Sequence, residues 1–161
     1  MSESPPSGIL VVEDDELVRK FYSRLLAGSG YAPSEARTAK EALAAVRDGP
    51  SFAAAIVDGL LPDMHGLVLA QRLLEEPRGQ LLPICFVTGA HPPASLPDVG
   101  IGILLKPVRG SDLLRQLAEL ERWKQAPGTS VEERRRALAG LERTFLVGPD
   151  RSRREPPPPH R

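Results

Sequence analysis

The stretch Ala53-Ala54-Ala55-Ile56-Val57-Asp58-Gly59-Leu60-Leu61-Pro62-Asp63-Met64-His65-Gly66 decides the fold. Its short apolar run reads as a strand over 52–57 buried on both faces, as in a parallel sheet covered by helices. The run stops at Asp58, and Gly59, Pro62 and Gly66 turn the chain into a loop. A carboxylate at the C-terminal tip of a buried parallel strand stands where open α/β sheets bind ligands. Taken alone, Asp58 also fits a plain strand end or a cap for the next helix.

Outward from this stretch the same alternation repeats. Ile9-Leu10-Val11-Val12 reads as a buried strand that runs into the acids Glu13-Asp14-Asp15-Glu16. Leu17, Val18, Phe21, Leu25 and Leu26 then form a helical apolar stripe, ended by Gly28-Ser29-Gly30. Residues 31–36 make a weaker strand, and Pro33 places it at a sheet edge. Thr38 and Glu41 form a capping box for a helix through Val46. After the Asp58 loop a helix runs from Leu67 to Glu75, and Pro83–Val87 is the fourth strand, ending at Thr88-Gly89. Pro92, Pro93 and Pro97 argue against a regular helix over 91–100, because each interior proline removes a helix hydrogen bond. Ile101–Leu105 is the fifth strand, ending at Lys106-Pro107, and Ser111 is expected to cap a helix carrying Leu113, Leu114, Leu117, Leu120 and Trp123.

Five strands alternating with helices predict a doubly wound α/β fold, a five-stranded parallel sheet of flavodoxin-like order 2-1-3-4-5 with right-handed crossovers. The expected organisation is a disordered lead-in at 1–7, a domain at 8–126, a linker and amphipathic helix at 127–148, and a disordered Pro/Arg-rich tail at 149–161. In the helical extension Ser130 and Glu133 form a second capping box, and Gly148-Pro149 is a stop. Leu138, Leu141 and Phe145 share one face, which leaves open whether it packs on the domain, a second copy or a partner. The arginines Arg134, Arg135 and Arg136 read as a solvated face.

Of the 161 residues 41% are hydrophobic, enough for one core, and the net charge of zero gives no pull toward nucleic acid or a membrane. No apolar run is long enough to span a bilayer, and the N-terminus lacks a signal peptide's pattern, so the expected location is cytoplasmic. The single cysteine, Cys85, lies in an apolar run and reads as a small core residue.

Four strand tips carry polar groups: Glu13/Asp14, Asp58, Thr88 and Lys106. In a parallel sheet these tips are neighbours. Three carboxylates so close repel one another unless a cation sits among them. Mg²⁺ suits such a site, since it takes one or two carboxylates and keeps several waters. A lysine beside it completes a site for a phosphoryl group, and Asp58 becomes a candidate nucleophile. Thr88 and backbone N–H groups of Gly59 and Gly89 are candidate donors to the phosphoryl oxygens. Each piece also has a plainer explanation, such as a helix N-terminus rich in acids or a solvated lysine.

With these residues in place the chain resembles a bacterial two-component response-regulator receiver domain over 8–126. Ile9–Asp15 resembles the first strand with its acid pair, Gly30-Tyr31 to Ala36 and Glu41-Ala42-Leu43 the second helix region, and Asp58–Gly66 the phosphoacceptor loop. Thr88 and Lys106-Pro107 complete the set. The resemblance implies that Asp58 accepts phosphate from a histidine kinase or phosphotransfer protein. It implies Mg²⁺ held by Asp14, Asp58 and the Leu60 backbone oxygen, with Glu13 acting through water. It further implies that Lys106 contacts the phosphoryl group, that Thr88 is the switch, and that the peptide bond before Pro107 is cis. The chemistry is then self-catalysed transfer to Asp58 and hydrolysis, not an enzyme activity on other substrates.

Two departures stand out. The family carries Tyr or Phe three residues before the lysine, where this chain has Ile103, and its fourth helix falls on the Pro-rich segment. Output is therefore expected through the 89–103 loop or the tail helix, toward an unidentified downstream protein or a homodimer. One tail helix is too little for a helix-turn-helix, so no DNA-binding domain is expected. Two further readings stay open: a pseudo-receiver binding proteins without phosphorylation, and a Mg²⁺-dependent phosphatase. The latter commonly needs a second acid where Leu60 stands.

Overall fold

The computed structural model describes residues 6–89 and 94–145. Its elements are β1 (Gly8–Val12), α1 (Glu16–Gly28), β2 (Ala32–Ala36), α2 (Ala39–Asp48), β3 (Ala54–Asp58) and α3 (Gly66–Leu73), then β4 (Ile84–Thr88), a 3₁₀ turn (Pro97–Val99), β5 (Ile101–Leu105), α4 (Gly110–Gln125) and α5 (Val131–Phe145). The five strands form one parallel sheet in the order β2-β1-β3-β4-β5, as the alternation predicts, and Pro33 lies on the edge strand.

Successive strand residues point to opposite faces, and they split the core in two. Leu10, Val12, Ala55, Val57, Ile84 and Phe86 face α2, α3 and α5. Ile9, Val11, Ala54, Ile56, Cys85 and Val87 face α1 and α4. Cys85 is buried in that second layer, where desolvation pushes its thiol up to about 12.

Helix α1 corrects part of the expected stripe. Leu17 is 83% exposed and Phe21 48% exposed, while Arg19, Tyr22 and Leu26 are buried. The buried face is turned by one residue, because Arg19 goes inward to polar partners described below. In α4 the N-cap residue is Arg109 and no side chain caps the helix, so the cap expected at Ser111 is not formed. Thr38 and Ser130 do cap their helices, accepting from the N–H groups of Glu41 and Glu133 at 3.1 Å each.

The right-handed crossover from β4 to β5 needs a cover on the α3 side of the sheet. Within its described residues this crossover holds only the 3₁₀ turn, and α5 fills the place, packing beside α3 and against that turn. Leu138 and Leu141 of α5 join the same core as Phe86, Ile101 and Ile103. The packing left open by the sequence is thus on the domain itself. Arg134 is fully buried, which corrects its reading as a solvated residue. Its guanidinium donates to the carbonyls of Val99 (2.8 Å), Gln80 (2.7 Å) and Leu82 (2.7 Å). It also lies 5.0 Å over the Trp123 ring, and burial pulls its pKa down to about 10. Arg135 and Arg136 are exposed. Gly100 makes room for the same knot: its φ is +72°, and a Cβ there would meet the Trp123 ring at 2.5 Å.

Residues 94–96 run along the free edge of β5. The Ser95 hydroxyl accepts from Ile103 N–H at 2.8 Å and donates to Ile103 C=O at 3.3 Å. Leu96 pairs with Ile101 as an antiparallel bridge. These bonds blunt an edge that would otherwise offer unpaired backbone groups. The expected disorder at 1–5 and 149–161, the stop at Gly148-Pro149, the prolines Pro92 and Pro93, and the Phe145 side chain lie outside the described residues.

Candidate functional site

The C-terminal tips of β1, β3, β4 and β5 meet as the topology requires. One carboxylate oxygen each from Glu13, Asp14 and Asp58 lie within 4.8 Å of one another. Glu13 and Asp58 are buried and Asp14 is exposed. Lys106 Nζ lies 3.3 Å from Asp58 Oδ1 and 3.5 Å from Glu13 Oε2. The acid run is divided in its duties: Asp15 caps α1, accepting from Val18 N–H at 3.0 Å, and leaves Glu13 and Asp14 to the site.

Burial pushes the Glu13 carboxyl up to about 7, and the neighbouring Asp58 charge adds to the rise, while Lys106 opposes it. Partial burial works against the Lys106 ammonium, yet Asp58 and Glu13 together hold its pKa above the ordinary lysine value. The cluster therefore holds more negative charge than its one lysine offsets. An all-oxygen donor set in that state is suited to a hard divalent cation.

The loop after Asp58 is held at several points. Leu60 N–H donates to Asp58 Oδ1 at 3.3 Å. Gly59 N–H, expected as a phosphoryl donor, is instead bonded to the Val87 carbonyl at 2.9 Å, because the β3–β4 ladder continues one residue past the strand. The donor facing Asp58 is thus Leu60. Gly89, the other expected donor, is exposed at the rim. Asp63 ties the loop to α2, its two oxygens accepting from Ala39 N–H (2.9 Å) and Lys40 N–H (3.0 Å). His65 begins α3 by accepting from Leu67 N–H at 3.1 Å. Gly66 is required where it stands, since a Cβ would come 2.2 Å from the Asp58 carbonyl oxygen.

Thr88 is half-buried at the end of β4, and its carbonyl accepts from Lys106 N–H at 2.8 Å, so the two residues are adjacent. The Lys106–Pro107 peptide bond is cis. Ile103, at the position of the family's aromatic, is only 7% exposed and packs in the layer that contains α5.

Three residues at or near the site carry no signal in the sequence pattern. Arg19 sits inside what reads as an apolar stripe, Asp63 in a loop, and Ser95 in a Pro-rich segment. Each acts through backbone groups, which the pattern of side chains does not encode.

The family model for the response regulator receiver domain matches residues 9–118. The chain belongs to that family. Curated relatives include the receiver protein CpdR of Brucella abortus, 30% identical over 117 residues, spanning 70% of this chain and 94% of its own. The two-component response regulator ORR3 of Oryza sativa subsp. japonica is 29% identical over 115 residues, spanning 69% and 88%. Among solved structures, a CheY-like receiver domain protein from Methanospirillum hungatei JF-1 superposes with a TM-score of 0.64 at 29% identity, covering 74% of this chain and 97% of that one. The chemotaxis response regulator CheY4 of Vibrio cholerae gives 0.64 at 26% identity, covering 71% and 98%. Helix α5 lies wholly outside the matched receiver span. No helix among the described residues is long and apolar enough to cross a membrane.

Proposed function

We propose that this receiver accepts a phosphoryl group on Asp58 from a phosphohistidine of a histidine kinase or phosphotransfer protein, in the cytoplasm. The observation that carries the reading is the placement of Lys106 Nζ 3.3 Å from Asp58 Oδ1 inside the Glu13–Asp14–Asp58 cluster. Glu13, Asp14, Asp58 and the Leu60 carbonyl are the groups that would hold Mg²⁺, Glu13 through water. When bound, the ion neutralises charge on the incoming phosphoryl group.

An Asp58 carboxylate oxygen attacks phosphorus in line. A P–O bond forms as the P–N bond to the imidazole breaks, and the leaving imidazole takes its proton from water. Lys106 and Leu60 N–H are placed to bind the transferred oxygens. Thr88, at the adjacent strand tip, is the residue best placed to follow the new phosphoryl group. Return is hydrolysis: water attacks phosphorus, the P–O bond breaks, and Asp58 and inorganic phosphate are released. The chain acts on itself and is not an enzyme for a separate substrate.

Leu17 and Phe21, one turn apart on α1 just after the acid pair and both exposed, offer an apolar surface for the phosphodonor. Readout goes to a downstream protein through residues 94–103 and α5. Beryllium fluoride with Mg²⁺ tests this: amide exchange should change at 94–103 or within α5, and no change in either segment contradicts the output route.

A second reading, a module that binds partners without phosphorylation, is favoured by one observation. Ile103 stands in place of the aromatic switch, and its backbone is clasped on both polar groups by Ser95. The same measurement separates the two.

A further inference from the structure

We propose that Arg19 is a positioning residue that fixes the acid-pair loop in the geometry needed for Mg²⁺, an inference that rests on the receiver reading above. Arg19 lies on the first turns of α1 and its side chain is 5% exposed. Nη1 donates to the carbonyl of Glu13 at 3.0 Å and toward that of Asp14 at 3.4 Å, while Nε donates to Glu35 Oε1 at 2.9 Å. One guanidinium thus grips the backbone of both metal-site acids from behind and anchors it to the end of β2.

This grip meets a need at that point in the chain. Glu13 N–H still bonds to the Ala36 carbonyl at 3.0 Å, the last bond on this side of β1. Beyond it the chain leaves the sheet, and its carbonyls lose their ladder partners. A buried carbonyl without a donor is costly, and a loop free to find one elsewhere would carry its carboxylates along. The planar fork of Arg19 reaches two carbonyls and a carboxylate at once, which a lysine ammonium does not reproduce. Its partners at the metal-site acids are backbone oxygens rather than carboxylates. The charges that shift Glu13 are those of Asp58 and Lys106. Arg19 therefore acts on where the acids stand, as outer residues do at metal sites, where their loss weakens metal affinity about 10–100-fold. Lys20 also bonds Glu35, at 2.9 Å, but it is exposed and its ammonium goes to Glu35 rather than to the acid-pair backbone, so it serves as the control.

The test is calorimetric titration of Mg²⁺ into wild type, Arg19→Ala, Arg19→Lys and Lys20→Ala, with folding checked by circular dichroism. The expected result is a Kd for Mg²⁺ raised about tenfold or more in Arg19→Ala, raised less in Arg19→Lys, and unchanged in Lys20→Ala. Phosphorylation of Arg19→Ala by acetyl phosphate should be slow at limiting Mg²⁺ and restored by excess Mg²⁺, a rescue that general loss of structure would not give. An affinity within twofold of wild type in folded Arg19→Ala, or a slow reaction that excess Mg²⁺ leaves slow, overturns the proposal. If Arg19→Ala does not fold, the lysine variant decides, and an unchanged Kd there overturns it. Absence of Mg²⁺ binding by wild type overturns the receiver reading as well, so the two failures are distinct.

Discussion

Arg134 Nη2, in the helix beyond the matched receiver span, donates to the carbonyl oxygen of Leu82 at 2.7 Å, just before β4. With its bonds to Gln80 and Val99 and its stacking on Trp123, this one side chain joins α5, α4 and the segments on both sides of β4. A helix from outside the family's usual span has thereby become part of the core.

Replacing Arg134 by Met keeps the bulk and leaves three carbonyls without their donor. Only the bond to Leu82 is buried, while water can reach the carbonyls of Val99 and Gln80, so the loss expected is that of one buried unmet acceptor, about 1–3 kcal/mol. For a chain of this size that lowers Tm by several degrees. Arg136→Ala, on the exposed side, should stay within about 0.5 kcal/mol of wild type. Thermal denaturation of the two variants checks the contrast.

Glu13 gives the metal-free protein a pH dependence of definite sign. Its carboxyl is raised from 4.5 to about 7 by burial and by Asp58. Between those values the folded state holds a proton that the unfolded state has released, so this group's contribution to stability falls as pH rises through the window. Mg²⁺ calls for the ionised form, so its affinity should rise over the same window. Denaturant unfolding at several pH values should show this slope in metal-free wild type, Mg²⁺ should oppose it, and Glu13→Gln should flatten it. Lys106→Met, which removes the charge opposing the rise, should extend the upper edge of the window to higher pH.

Gly66→Ala places a methyl group 2.2 Å from the Asp58 carbonyl oxygen. Backbone must shift to admit it, at a cost of about 1–3 kcal/mol as for other overpacked sites. Because the displaced strand end is Asp58 itself, acetyl-phosphate labelling should slow together with the fall in stability.

Ile103→Tyr restores the family's aromatic where the family has it. Here the side chain packs in the layer shared with Leu138 and Leu141 of α5, so the larger ring should cost about 1–3 kcal/mol. Equilibrium unfolding of this variant, beside one that also carries Leu141→Ala, should show the second change relieving part of the loss.

β1, β3, β4 and β5 were legible because each is a short apolar run ended by a polar residue, while β2, with the sequence APSEA, reads only weakly, and the site was legible because those polar ends converge in a parallel sheet. Thr38, Asp58 and Lys106 could all be placed from the residues near them. Arg19, Asp63 and Arg134 could not. Apart from the Arg19 bond to Glu35, their hydrogen-bond partners are backbone oxygens or N–H groups elsewhere in the chain, and every residue carries the same backbone groups, so no pattern of side chains announces such a bond. The orientation of α1 goes with the same bonds: Arg19 turns inward to the carbonyls of Glu13 and Asp14, and Leu17 and Phe21 stay exposed.

Whether Asp58 is the phosphoacceptor is decided by intact mass measurement of the full chain after incubation with acetyl phosphate and Mg²⁺. The expected result is a gain of one phosphoryl group on wild type, absent when Mg²⁺ is chelated and absent in Asp58→Ala. An unmodified wild type at saturating Mg²⁺, or a gain that persists in Asp58→Ala, would contradict it.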